Sequence, residues 1–305
     1  MKSRWPVLLL LASSTLFARD RIAEIEFFGY KGIDVEAVRK ARSASNICCD
    51  KQGDTFLYIG LAGQCSRTFT LNPKPTEKIQ VSQELAALSQ QMDEAENAAV
   101  HSGNAIEEQP SPGYRLPKDP QARKATLAIR QYALQHEDEL YRVLESSSDG
   151  EQRAIAADAL GFANRSERQV AALVHASRDA NDDVRNNATR ALGEMAMAGG
   201  AVTSQIPADA FIEMLWSGDW FDRNKASGLL MMLTASRDPK LLSRLRTEAL
   251  DPLIEIARWD NDHALAARLI LGRMAGISDI ELVKLVYEDP GKILGMLATP
   301  AASKP

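Results

Sequence analysis

A ten-residue pattern recurs four times in the second half of this chain, and it sharply limits the folds available. The clearest copies run from Gln152 to Gly161 and from Val184 to Gly193. Weaker copies run from Asp222 to Met231 and from His263 to Gly272. Aligned on Arg153, Arg185, Arg223 and Ala264, the copies are spaced by 32, 38 and 41 residues. A unit of that size cannot bury its own apolar face. It must stack on its neighbours, and the stack presents an extended surface.

Each position of the pattern has a physical reason. Asp149, Asn181, Asp219 and Asp260 stand four residues ahead of the aligned position, where a helix would begin, and all four are strong N-cap types. Ala156, Ala188, Ala226 and Ala267 follow, and Leu160, Leu192, Leu230 and Leu271 come four residues later on the same helical face. Alanine lets adjacent helices approach closely, while leucine fills the space between layers. Another apolar-striped segment precedes each copy, as in Val170–Leu173, Phe211–Leu215 and Pro252–Ile256, and a fifth, Ile280–Val286, ends the array. Leu127, Tyr132, Leu134, Leu140, Val143 and Leu144 supply two antiparallel helices that lead into it.

Over residues 137–288 this pattern resembles the HEAT/armadillo family of helical repeats, with Asp182–Gly193 the best copy of its second-helix motif. The resemblance implies a mostly α chain built as a right-handed solenoid of four to five helix pairs. It also implies that Arg153, Arg185 and Arg223 each pair with an acidic residue of a neighbouring layer. Ala188, Leu192, Leu230 and Leu271 would be repeat-core positions. Met231 stands where the motif has glycine and Ala264 where it has arginine, so those layers should be less regular.

The rest of the chain divides by composition. Residues 1–18 have the layout of a secretory signal peptide, with Lys2 and Arg4 ahead of an apolar Val7–Ala12 run and a Leu16–Ala18 cleavage site. A retained anchor is the alternative. Residues 19–76 read as a small α+β unit, with strands at Ile22–Phe28, Phe56–Ile59 and Thr68–Leu71 and a short helix capped by Asp34. Its β–turn–α opening over residues 21–45 resembles a polypeptide-transport-associated (POTRA) module. A helix over 82–102, striped by Leu85, Leu88, Met92, Ala95 and Ala99, and a Pro/Gly/Glu-rich linker occupy 77–118. The solenoid then spans 119–290, and 291–305 is a tail.

Several functions are disfavoured. A net charge of -5 offers no basic field for nucleic acid. No phosphate-cradling glycine loop is present, and the four histidines are scattered, so no cofactor and no metal site are expected. Cys48 or Cys49 could form a disulfide with Cys65 in an oxidising compartment, all three could be incidental thiols, or Cys65 could be a nucleophile, although no base partner is identifiable. No catalytic set can be assembled.

The most unusual surface candidate is the turn from Trp216 through Trp220 and Phe221 to Arg223, with its counterpart Arg258–Trp259 one repeat later. Turns of equivalent type stack along one edge of a solenoid, so these rings should converge. They would form either a binding hot spot or plugs between irregular layers. The resulting expectation is an exported repeat scaffold, periplasmic, that binds a protein or peptide and has no membrane span after signal removal. The alternatives are an envelope-assembly module acting through the POTRA-like unit, or a thiol enzyme centred on Cys65.

Overall fold

The structure is a computed structural model that describes residues 22–28, 47–49, 55–60, 69–102, 113–259 and 262–298. Three strands come first: β1 (Ile22–Phe28), β2 (Ile47–Cys49) and β3 (Thr55–Gly60). They form one mixed sheet in the order β1-β3-β2, with β1 parallel and β2 antiparallel to β3. The expected strand at 68–71 is not there, since residues 69–71 lie outside any strand, and β2 supplies the third strand instead. The Asp34 helix, Cys65 and residues 1–18 fall outside the described residues.

The reason residues 69–71 leave the sheet is visible in their partners. The Asn72 amide donates to the Arg178 carbonyl at 2.7 Å, and its side chain donates to the His175 carbonyl at 2.8 Å. Further along, Glu77 bridges to Ser147, exchanging backbone hydrogen bonds of 3.0 Å and 2.7 Å with Ser146 and Ser148. The segment from Phe69 to Val81 is thus a strap laid across two turns of the helical array. It hands the chain to α1 (Gln83–His101), where Ser82 caps the helix by accepting from the Leu85 amide at 3.1 Å.

From residue 120 the described chain is helical. The helices are α2 (Pro120–Gln135), α3 (Glu137–Ser146), α4 (Gly150–Leu160), α5 (Glu167–Ala176), α6 (Asp182–Ala198), α7 (Ala208–Met214) and α8 (Trp220–Leu233). Then follow α9 (Pro239–Glu248), α10 (Leu250–Ala257), α11 (Leu265–Met274), α12 (Asp279–Glu288) and α13 (Pro290–Ala298). Five helix pairs result: α3/α4, α5/α6, α7/α8, α10/α11 and α12/α13. The second helices pack on one another in the order α4, α6, α8, α11, α13; the first four form the spine of the stack, and α13 covers its end.

The four repeated alanines and four repeated leucines are all fully buried in that spine. Asp149, Asn181 and Asp219 cap their helices, accepting from the amides of Glu151, Val184 and Phe221 respectively. Glycine at the end of the motif serves close approach in two layers. A Cβ on Gly161 would lie 3.0 Å from the Ala191 Cβ, and one on Gly272 would overlap Leu282, whereas Gly193 faces open space.

Two further features depart from the sequence reading. Helix α9 is an extra element inserted between α8 and α10. It is reached through a 3-10 turn at Thr234–Ser236 that closes on Arg237 with φ 56°, a left-handed conformation at a non-glycine residue. And the tail expected from 291 is helical as far as Ala298, because Ile293 is buried against the core. Proline at the first position of α13 has no amide hydrogen that the helix would need, so it starts this helix rather than ending the array.

Candidate functional site

Arginines join successive layers along the turn edge. Arg153 is buried and grips Asp179 with two bonds of 2.8 and 2.6 Å, while also donating to the Ser147 carbonyl at 2.8 Å. Arg185 repeats the arrangement with Asp222 at 2.7 Å and the Asp179 carbonyl at 3.0 Å. Arg223 does so with Glu255 at 2.8 Å and the Ser217 carbonyl at 2.7 Å. In every case the guanidinium takes an acid from the next layer and a carbonyl six residues upstream. Burial pushes the Asp222 carboxyl up, although Arg185 and the Ser217 hydroxyl pull it down. In the fourth layer, where Ala264 breaks the pattern, Arg268 from the next turn of α11 donates to the carbonyls of Ala257 at 2.9 Å and Trp259 at 2.6 Å. The substitute was not apparent in the sequence because it sits at a different motif position.

The aromatic turns converge as their repeat positions imply. Trp220 stacks with Trp259 at 6.5 Å between centroids, and it meets Phe221 at 5.0 Å and His263 at 4.8 Å edge-on. Yet Trp220 is only 2% exposed and Trp259 1%, so these two rings fill space between layers and present no surface. Arg223 is equally buried in its ion pair. Trp216 is half-buried and donates from its indole nitrogen to the Glu248 carbonyl at 3.0 Å, which ties the inserted α9 to this edge. Phe221 is half-buried and Arg258 exposed. Nearby, β3 lies against α8 and β1 against α10.

A different feature opens beside the first two layers. A cleft of about 650 Å³ lies between α1, α4 and α6. Its floor is built from equivalent positions of two repeats: Glu151, Ile155 and Asp158 on α4, and Asp183, Asn187 and Arg190 on α6. The opposing wall is α1, through Ser89, Asp93 and Glu96. Arg115 closes one end. It is buried, pairs with Glu96 and reaches Asp158 at 3.5 Å, and its guanidinium also lies 3.3 Å from the Met92 sulfur. Burial pushes the carboxyls of Asp93, Glu96 and Asp183 up; Asp158 adds to this at Asp93 and Glu96 and Asp182 at Asp183, while Arg115 opposes it at Asp93 and Glu96 and Arg185 at Asp183.

Residues 137–232, which span the first three layers, match the family model of HEAT repeats. These three layers are HEAT-type helical repeats. No curated protein matches it. Layer four continues the stack past the matched residues, with the same buried alanine and leucine at Ala267 and Leu271, and layer five packs on it. The strap and α1 lie outside the matched residues, and they lean on the first two HEAT layers. Among the described residues no group of three or more histidine, cysteine or acidic side chains could hold a metal ion, and no helix is long and apolar enough to cross a membrane.

The cleft was missed at the sequence level because its wall and floor are far apart in the chain. One signal was available. Glu151, Ile155 and Asp158 stand 32 residues before Asp183, Asn187 and Arg190, in register and polar at all but Ile155, on a face the repeated alanines and leucines do not use.

Proposed function

We propose that this chain is an exported HEAT-repeat scaffold that binds another protein or a peptide through its repeat surface and performs no chemistry of its own. The observation that carries the reading is the cleft floor, where polar side chains at repeat-equivalent positions of α4 and α6 line a space of about 650 Å³. Clefts of that size accommodate ligands that bury most of their surface. HEAT repeats commonly serve as protein-interaction scaffolds, and the rigid, alanine-packed spine favours binding without reorganisation. The signal-like composition of residues 1–18 supports export, and cell fractionation with mass determination tests it. A cleaved chain in an extracytoplasmic fraction is expected, and an intact cytoplasmic chain would contradict it.

The binding reading is tested by site-specific photo-crosslinking in the source cell. A photoreactive side chain at Ile155 or Asn187, on the cleft floor, should give discrete protein adducts. The same probe at Arg142 or Glu145, exposed on α3, should not. Adducts confined to the α3 positions, or none at the floor while the protein is folded, would overturn the reading.

A further inference from the structure

A solenoid stays soluble as a monomer when its terminal repeat turns a polar face outward. Helix α12, in the last described layer, does the reverse. Ile280 is 82% exposed, Tyr287 66% and Val283 61%, the three most exposed large apolar side chains among the described residues. Their spacing of three and four residues sets them on one helical face. The opposite face, Leu282, Leu285 and Val286, is buried against the core, so α12 is apolar on both sides and covered on one. Lys284, four residues after Ile280 and three before Tyr287, stands at the edge of the stripe, with Glu281 beyond it. Residues 299–305, which follow α13, contain no large apolar side chain that could lie on it.

We propose that this stripe is the interface with a second copy of the chain, α12 packed antiparallel on α12 about a two-fold axis near Val283. The charges select that occupant and that orientation, because their order along the helix is self-complementary. With a rise of about 1.5 Å per residue, an antiparallel pair centred on Val283 brings Ile280 level with Tyr287 of the second copy, and Glu281 level with Lys284 of the second copy. Each apolar residue then meets an apolar one, and the two-fold repeats the opposite-charge pair on its far side. Parallel packing would instead set Lys284 against Lys284 and Glu281 against Glu281. Glu281 also reaches Lys292 of α13 at 3.6 Å, but both side chains are half exposed, and so exposed a pair gives way readily. Three apolar side chains make a contact well below the area of a permanent dimer, so the association is weak, with a Kd on the order of 100 µM. Unfolding at micromolar concentration therefore reads the monomer, with Val283 in water. The inference rests on the end of the stack alone and is independent of what the cleft binds.

The test is sedimentation velocity on the full chain from about 1 µM to about 500 µM at low salt, where the mass should rise from that of one chain toward that of two and no further. Val283→Glu sets two carboxylates against each other on the axis. It should weaken association at least about tenfold, with the melting temperature at about 1 µM undiminished. Glu281→Lys and Lys284→Glu should each weaken it about fivefold, and the double exchange Glu281→Lys/Lys284→Glu should restore wild-type association. Leu127→Ser, which removes an exposed leucine from α2 at the other end of the stack, should change nothing. A chain that stays monomeric throughout, a mass that climbs past two chains, or a dimer indifferent to Val283→Glu would each overturn the proposal. So would two weakened single charge variants without recovery in the double, since that recovery is specific to the antiparallel pairing.

Discussion

At the residue scale, the arginine ladder and the tryptophans set the layer spacing. Truncating Trp220 to Ala should cost about 3–5 kcal/mol, as other large core truncations do, measured by denaturant unfolding. A loss below about 1 kcal/mol would mean that the ring is not a plug. Removing Arg153 by substitution to Ala leaves Asp179 buried without its partner and should cost a similar 3–5 kcal/mol. The glycines make opposite predictions. Gly193→Ala meets open space inside α6 and should stabilise by roughly 0.5–1 kcal/mol, whereas Gly272→Ala drives into the buried Leu282 and should destabilise by about 1–3 kcal/mol. The repeat positions were legible in the sequence because each is fixed by local geometry. Which tryptophans face inward was not, because that depends on the next layer's backbone.

At the element scale, the sequence marked α1 and the repeat helices by their apolar stripes, and it marked the N-caps as well. It did not mark α9, whose ten residues bury only Leu245 fully and so leave almost no periodic signal. It also placed a strand at 68–71, where β-prone residues instead lie in the strap held by Arg178 and His175. Helix α12 carries a second apolar stripe, Ile280, Val283 and Tyr287, all exposed on the side away from α11. Converting Val283 to Ser should change stability by no more than about 0.5 kcal/mol, since little is buried there. A larger loss in thermal unfolding would show that the stripe is covered.

For the whole molecule, the carboxyls of Asp93, Glu96, Asp183 and Asp222 all sit above the usual carboxylate range. Each therefore binds its proton more tightly folded than unfolded. Their contribution to stability is complete below the unfolded value near 4 and is lost as pH rises through the folded values. Asp279, held low by Arg237, works in the opposite sense as a single exposed group. The melting temperature should thus rise as pH falls from neutral toward the unfolded carboxylate value near 4, and Asp93→Asn/Asp183→Asn should flatten that rise by stabilising the chain at neutral pH. A melting temperature that falls over this range in the wild type would contradict the assignment.

The central claim is that α4, α6, α8 and α11 form one spine, joined layer to layer by buried arginines. Native-state hydrogen exchange of the full chain measures this directly, because amides that open only together share one opening free energy. The spine helices should exchange slowest and as a group, with α9, α12 and α13 faster. An array whose repeats exchange independently, with α6 opening as readily as α12, would contradict it.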